Sequence, residues 1–353
     1  MELAFRPARR GAAAALSLGV LLALASARPA RAGRPAEDGG AGFCTATAQA
    51  QHGACRSAVK EAGFAARAVC ANLAEEAARA ACLDRAREER REAAEACREQ
   101  RDARRALCAA LGEARYEPDF DPAHFQTDFG SPAAPNSYFP LAIGSTWEYA
   151  GAEERITVEV RDATKLVEGV PCLVVNDLVE VGEDVAEDTD DWFALRDDGT
   201  VVYCGEISRN FERFPGDDPP EPELVDVEGS WKAGRDGAKA GTLFPGAPQV
   251  GQVYRQEWAP GVAEDAARVL STSYGFGSDA ALDELVPQAL ADALCAGDCV
   301  VTAEFSPLEP DAFERKYYAP GIGLFLEVSP EDHEVVRLVG CDVDPRCATL
   351  PAP

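Results

Sequence analysis

Two hydrophobic rhythms divide the chain. From residue 45 to 111, small and apolar side chains recur at helical spacing, no proline intervenes, and Ala, Glu and Arg dominate. From Ser145 onward the period falls to two. Ile156, Val158 and Val160 point one way, Thr157, Glu159 and Arg161 the other, and Trp147 and Tyr149 share a face. The first rhythm predicts helix. Residues 75–111 hold no breaker, and Gly112 is placed to stop them. The second predicts strands over 172–181, 192–195, 200–207, 224–227, 253–258, 268–274, 300–305, 314–318, 323–328 and 335–339, parted by Gly-bearing turns. A helix over 280–294, with Pro287 inside it, is expected as an insertion over one end of the sheet. The fold class that follows is α+β: an N-terminal antiparallel helical hairpin, then an antiparallel β-meander curled into a barrel or half-barrel.

The cysteines sharpen the first half. Cys44, Cys55, Cys70, Cys82, Cys97 and Cys108 are mirror-symmetric about residue 76. Steps of 11 and 15 residues leave angular residuals of about 20° and 60°, so each set of three lies on one helical stripe. Neighbours on one helix are roughly 16 Å apart, and a disulfide needs Cα atoms within about 7 Å. The partners must lie on a second helix, which predicts nested bridges Cys44–Cys108, Cys55–Cys97 and Cys70–Cys82. A turn at Gly63 is the alternative; it pairs Cys55 with Cys70 and Cys44 with Cys82 and strands Cys97 and Cys108. For the other six cysteines the simplest set is Cys172–Cys204, Cys295–Cys299 and Cys341–Cys347, one of fifteen arrangements.

Disulfides at this density imply an oxidising compartment, and the N-terminus agrees. Arg6, Arg9 and Arg10 precede an apolar stretch over 11–24 and small-residue cleavage patterns, so residues 1–32 read as a signal peptide. A linker (33–43), the Cys-rich hairpin (44–115), an extended Pro- and Phe-bearing linker (116–139), the β domain (140–340) and a tail (341–353) follow. The expected address is secreted, periplasmic or cell envelope, with no membrane insertion after signal cleavage. Net charge is −27 and falls on the second half: residues 118–353 carry 15 Lys and Arg against 46 Asp and Glu. Such a surface repels nucleic acid; the expected partner is a protein or a small molecule.

Candidate chemistry is sparse. Only His52, His124 and His333 are present, and no GxSxG, HExxH or P-loop occurs. The densest oxygen donors are Asp188, Asp190 and Asp191 beside Trp192, with Glu206 and Glu257 (and Glu264 and Asp265) as neighbours across the sheet. The bland interpretation is an acidic loop before a strand whose Trp fills the core. The functional one makes Asp188, Asp190, Asp191, Trp192, Glu206 and Glu257 ligand-binding, with Ca²⁺ at Asp188, Asp190 and Asp191 as the one candidate cofactor. Paired carboxylates also serve glycoside hydrolysis. The leading expectation is a non-catalytic exported or envelope-associated binding or scaffold protein; the alternative is an extracellular carbohydrate hydrolase.

Five blocks carry a resemblance: residues 138–149 (YFPLAIGSTWEY), 187–194 (EDTDDWFA), 229–238 (GSWKAGRDGA), 254–257 (YRQE) and 316–324 (KYYAPGIGL). Together they resemble an uncharacterised family of bacterial exported β-rich proteins over roughly residues 115–330. The resemblance implies a β-rich fold and an exported address, and it transfers no activity.

Overall fold

The computed structural model describes residues 42–352. The expected signal peptide (1–32) and linker residues 33–41 lie outside the described residues. Two helices come first: α1 (Phe43–Ala71) and α2 (Glu76–Leu111), joined by a turn over Asn72–Glu75. Gly112, at φ 88°, ends α2. α1 runs unbroken through Gly53 and Gly63, so the Gly63 turn does not form. Three nested disulfides close the hairpin: Cys44–Cys108, Cys55–Cys97 and Cys70–Cys82, with Cα separations of 5.6, 5.8 and 5.5 Å. Covalent staples stand where a core would be. The hairpin buries only Ala48, Ala86, Leu107 and three of its cysteines as apolar groups, and Phe64 and Val69 remain exposed.

Fourteen antiparallel strands follow: β1 (Thr146–Ala150), β2 (Glu154–Val167), β3 (Val170–Val181), β4 (Asp184–Leu195), β5 (Val201–Glu212), β6 (Glu223–Asp226), β7 (Trp231–Lys232), β8 (Gly241–Phe244), β9 (Val253–Arg255), β10 (Ala266–Tyr274), β11 (Cys299–Ser306), β12 (Glu309–Ala319), β13 (Gly323–Ser329) and β14 (Glu334–Cys341). Two meanders meet at the β1–β14 pair; one runs out to β6, the other back to β9, and β7 and β8 both pair with β5. The sheet is therefore not closed, and the barrel alternative is corrected to an open, curled sheet. Its ends still come together: Lys239 N–H donates to Trp258 O at 2.9 Å, and a Cβ at Gly241 would sit 1.8 Å from Gln256 O. Only glycine permits that approach. The concave side is filled at one end by aromatics, among them Trp147, Tyr149, Phe193, Phe244 and Tyr318.

Two further sequence expectations need correction, and two strands, β7 and β8, were not expected. The helix over 280–294 shrinks to α3 (Gln288–Leu294), because Pro287 excludes helix from the residue before it and becomes the N-cap. Asp184–Asp191 is no loop but the first two-thirds of β4. β7 and β8 are too short to show an alternation. The remaining bridges are Cys172–Cys204, Cys295–Cys299 and Cys341–Cys347. The first joins β3 to β5 across the intervening β4, beside its bulge at Trp192/Phe193. Six disulfides and no free cysteine among the described residues fit an oxidising, extracellular or periplasmic setting.

The open end of the hairpin docks beside the β9 edge. Arg104 donates to Glu264 through Nε (2.7 Å) and Nη2 (2.9 Å), both side chains being 6% exposed. Gln100 Nε2 donates to Leu308 O at 2.9 Å. The 116–139 linker is ordered by its aromatics: Phe125, Phe129 and Phe139 are buried, and Tyr116 Oη donates to Ala240 O. Covering a sheet edge in this way removes a site for wrong strand pairing.

Candidate functional site

Strand alternation splits the acidic segment between two faces of the sheet. Asp188 and Asp190 lie on one face, where Asn176 Nδ2 donates to Asp188 at 2.7 Å and Arg209 Nη2 to Asp190 at 3.0 Å. Trp192 shares that face, with Lys165 Nζ 3.9 Å from its ring centroid. Asp191 points the other way, into the concavity, so Asp188, Asp190 and Asp191 do not converge on one point. Among the described residues no group of three or more His, Cys, Asp or Glu is arranged to hold a metal ion. Of the six candidate ligand residues, the structure brings together three: Asp191, Glu206 and Glu257.

These three join a larger interior network. Asp191 of β4 and Glu206 of β5 are cross-strand partners. Tyr203 Oη contacts Asp191 Oδ1 and lies 2.7 Å from Glu206 Oε2. A phenol has one proton to give, so one of these two carboxyls is protonated and donates back. Trp231, opposite Glu206, donates from Nε1 to Glu257 Oε1 at 2.9 Å. From the other meander come Glu304 of β11, Glu314 and Lys316 of β12 and Glu327 of β13. Lys316 Nζ is 3.0, 3.7 and 3.4 Å from Glu304, Glu314 and Glu327. Asp177 of β3 is 4% exposed, and neither of its oxygens has a hydrogen-bond partner.

Between the two meanders lies a cavity of about 150 Å³, walled by Glu187, Tyr203, Glu206, Glu257, Asp265, Glu304, Glu314 and Lys316. Leu308, held by the hairpin's Gln100, and Ala263 stand at its rim. Lys316 is the one cationic side chain on this wall among the described residues. Burial governs the ionisation. It raises Asp191 to about 7. It holds Glu206 well above its usual range, aided by Glu257 and Asp191, and Glu257 likewise, aided by Asp265. Asp177 and Glu314 are also held well above it, by burial and then by neighbouring carboxylates. Glu304 is the exception: burial pushes it up, but Lys316 and several hydrogen bonds bring it below the usual range. Around this cavity burial therefore favours the protonated carboxyl over the carboxylate.

The stability of such a site runs opposite to ordinary acid lability. A carboxyl raised in the folded state contributes stability below its unfolded value, near 4, and loses it as pH rises through the folded value. For Asp191 that window runs from about 4 to about 7. Glu304, depressed, loses its contribution only in acid. The melting temperature should fall by roughly 5 °C between pH 5 and pH 8; calorimetry at matched ionic strength checks this, and a rise over that interval contradicts it.

Sequence reasoning missed Asp177, Tyr203, Glu304, Glu314, Lys316 and Glu327. The signal was present in one strand: Glu314, Lys316 and Tyr318 recur at a period of two, which puts both charges on the face of a core tyrosine. Comparison with protein-family models, curated proteins and solved structures finds no match to this chain.

Proposed function

We propose that this chain is a non-catalytic, exported or envelope-associated binding protein that holds a small cationic ligand, of the ammonium class, in the acidic cavity of its curled sheet. The observation that carries the reading is the imbalance at the wall: among the described residues, Glu187, Glu206, Glu257, Asp265, Glu304 and Glu314 line it from both meanders against the one ammonium of Lys316. A ligand ammonium supplies what the wall lacks, three donors and a positive charge. A volume of about 150 Å³ corresponds to about five waters, enough for a short amine. It is too small for two sugar rings flanking a scissile bond, which disfavours the carbohydrate-hydrolase alternative despite the Asp191–Tyr203–Glu206 arrangement.

Thermal melts of the full chain test this at pH 7. With 10 mM 1,4-diaminobutane the melting temperature should rise by about 2–4 °C, and Glu257→Gln should remove most of the shift. Glucose should give no shift. A shift with CaCl₂ and none with the amine would replace the ammonium by a divalent cation, and no shift with any probe would end the reading.

A further inference from the structure

A second cavity lies where the open end of the hairpin meets β9, and its chemistry is the reverse of the first. It encloses about 710 Å³, within the range of small-molecule sites. Its wall carries four cationic side chains and two carboxylates, in a chain of net charge −27. Two guanidiniums there are incompletely matched. Arg104 is 5% exposed and spends Nε and Nη2 on Glu264, while its Nη1 is buried with no partner. Arg255 packs over Tyr116, 5.8 Å from the ring centroid, and donates only to Cys44 Sγ, at 3.5 Å; it has no ion pair among the described residues. Burial lowers its pKa by more than the nearby Glu264 carboxylate raises it, so a further anion beside it would be stabilising. An apolar wall adjoins these groups: the Tyr116 and Trp258 rings lie 5.9 Å apart, tilted by 34°.

We propose that this pocket binds a small organic carboxylate with an aromatic or aliphatic body. The carboxylate accepts from the Arg255 guanidinium, Arg104 adds its positive charge to the wall, and the body packs on Tyr116 and Trp258. Arginine is suited to this because its planar fork meets both carboxylate oxygens. The site does not depend on the acidic cavity, which takes the opposite charge.

Three probes of one shape separate head group from body: 4-phenylbutyrate, 4-phenylbutylamine and 4-phenylbutan-1-ol. Trp258 is the least buried of the four tryptophans and reports occupancy by fluorescence; the change that vanishes in Trp258→Phe is the signal. In the full exported chain, with the residues ahead of Gly42 present, phenylbutyrate should bind roughly tenfold tighter than either other probe. Arg255→Gln should weaken it by about the same factor, and Arg255→Lys should restore part of the affinity. Equal Trp258-dependent binding of all three probes, unchanged binding in Arg255→Gln with a native melt, or no binding at millimolar probe would overturn the proposal.

Discussion

Replacing Lys316 by methionine is expected to lower stability at pH 7 by about 3–5 kcal/mol. The side chain is 2% exposed and its ammonium lies within 4 Å of Glu304, Glu314 and Glu327. Glu304 and Glu314 are direct cross-strand partners, a pairing that repels when both are charged. Lys316 is what keeps Glu304 ionised in the interior. Without it, Glu304 must either remain an uncompensated buried charge or take up a proton. The cost should shrink at pH 5, where protons are cheap to bind, and Lys316→Met combined with Glu304→Gln should recover much of the loss. Urea denaturation of the three proteins at both pH values reads all of this. A loss below about 1 kcal/mol at pH 7 would mean that the carboxyls are already neutral without the lysine.

Arg104→Leu should cost a comparable amount, about 3–5 kcal/mol, by leaving Glu264 buried and unpaired. Glu264 also accepts from Gly261 N–H at 2.6 Å, so the loop ahead of β10 depends on it. The damage is local in kind: the three nested bridges keep the hairpin folded while its dock fails. Hydrogen exchange should accelerate at Arg255–Glu264 and at Leu308, and stay slow in β2 and β3. Arg104→Leu with Glu264→Gln should restore much of the stability, since no charge is then stranded. An exchange pattern unchanged from the parent chain would show that the hairpin is held by other contacts.

The legible parts were those with a strong period or a distance constraint. Six thiols mirrored about residue 76 leave one helical hairpin that brings all six within the reach of a disulfide, and the turn at Asn72–Glu75 falls just ahead of that midpoint. Alternation located most of the strands. It failed over Asp184–Asp191, where five carboxylates hid a strand: Asp188 and Asp190 are matched on one face by Arg209 and Asn176, and Asp191 is buried on the other. Those partners come from strands 12 to 21 residues away, so local propensity could not show them. The same holds for the cavity, which exists only because the two meanders curl toward each other. The Arg104–Glu264 contact spans 160 residues and leaves no trace in either segment.

The most direct test is isothermal titration of the full chain with 1,4-diaminobutane at pH 7, repeated in buffers of different ionisation enthalpy. If protons occupy the cavity until a cation replaces them, the apparent binding enthalpy must vary with the buffer, with about one proton or more released per amine bound. Binding with the same enthalpy in every buffer, or no binding heat at millimolar amine, would contradict the account.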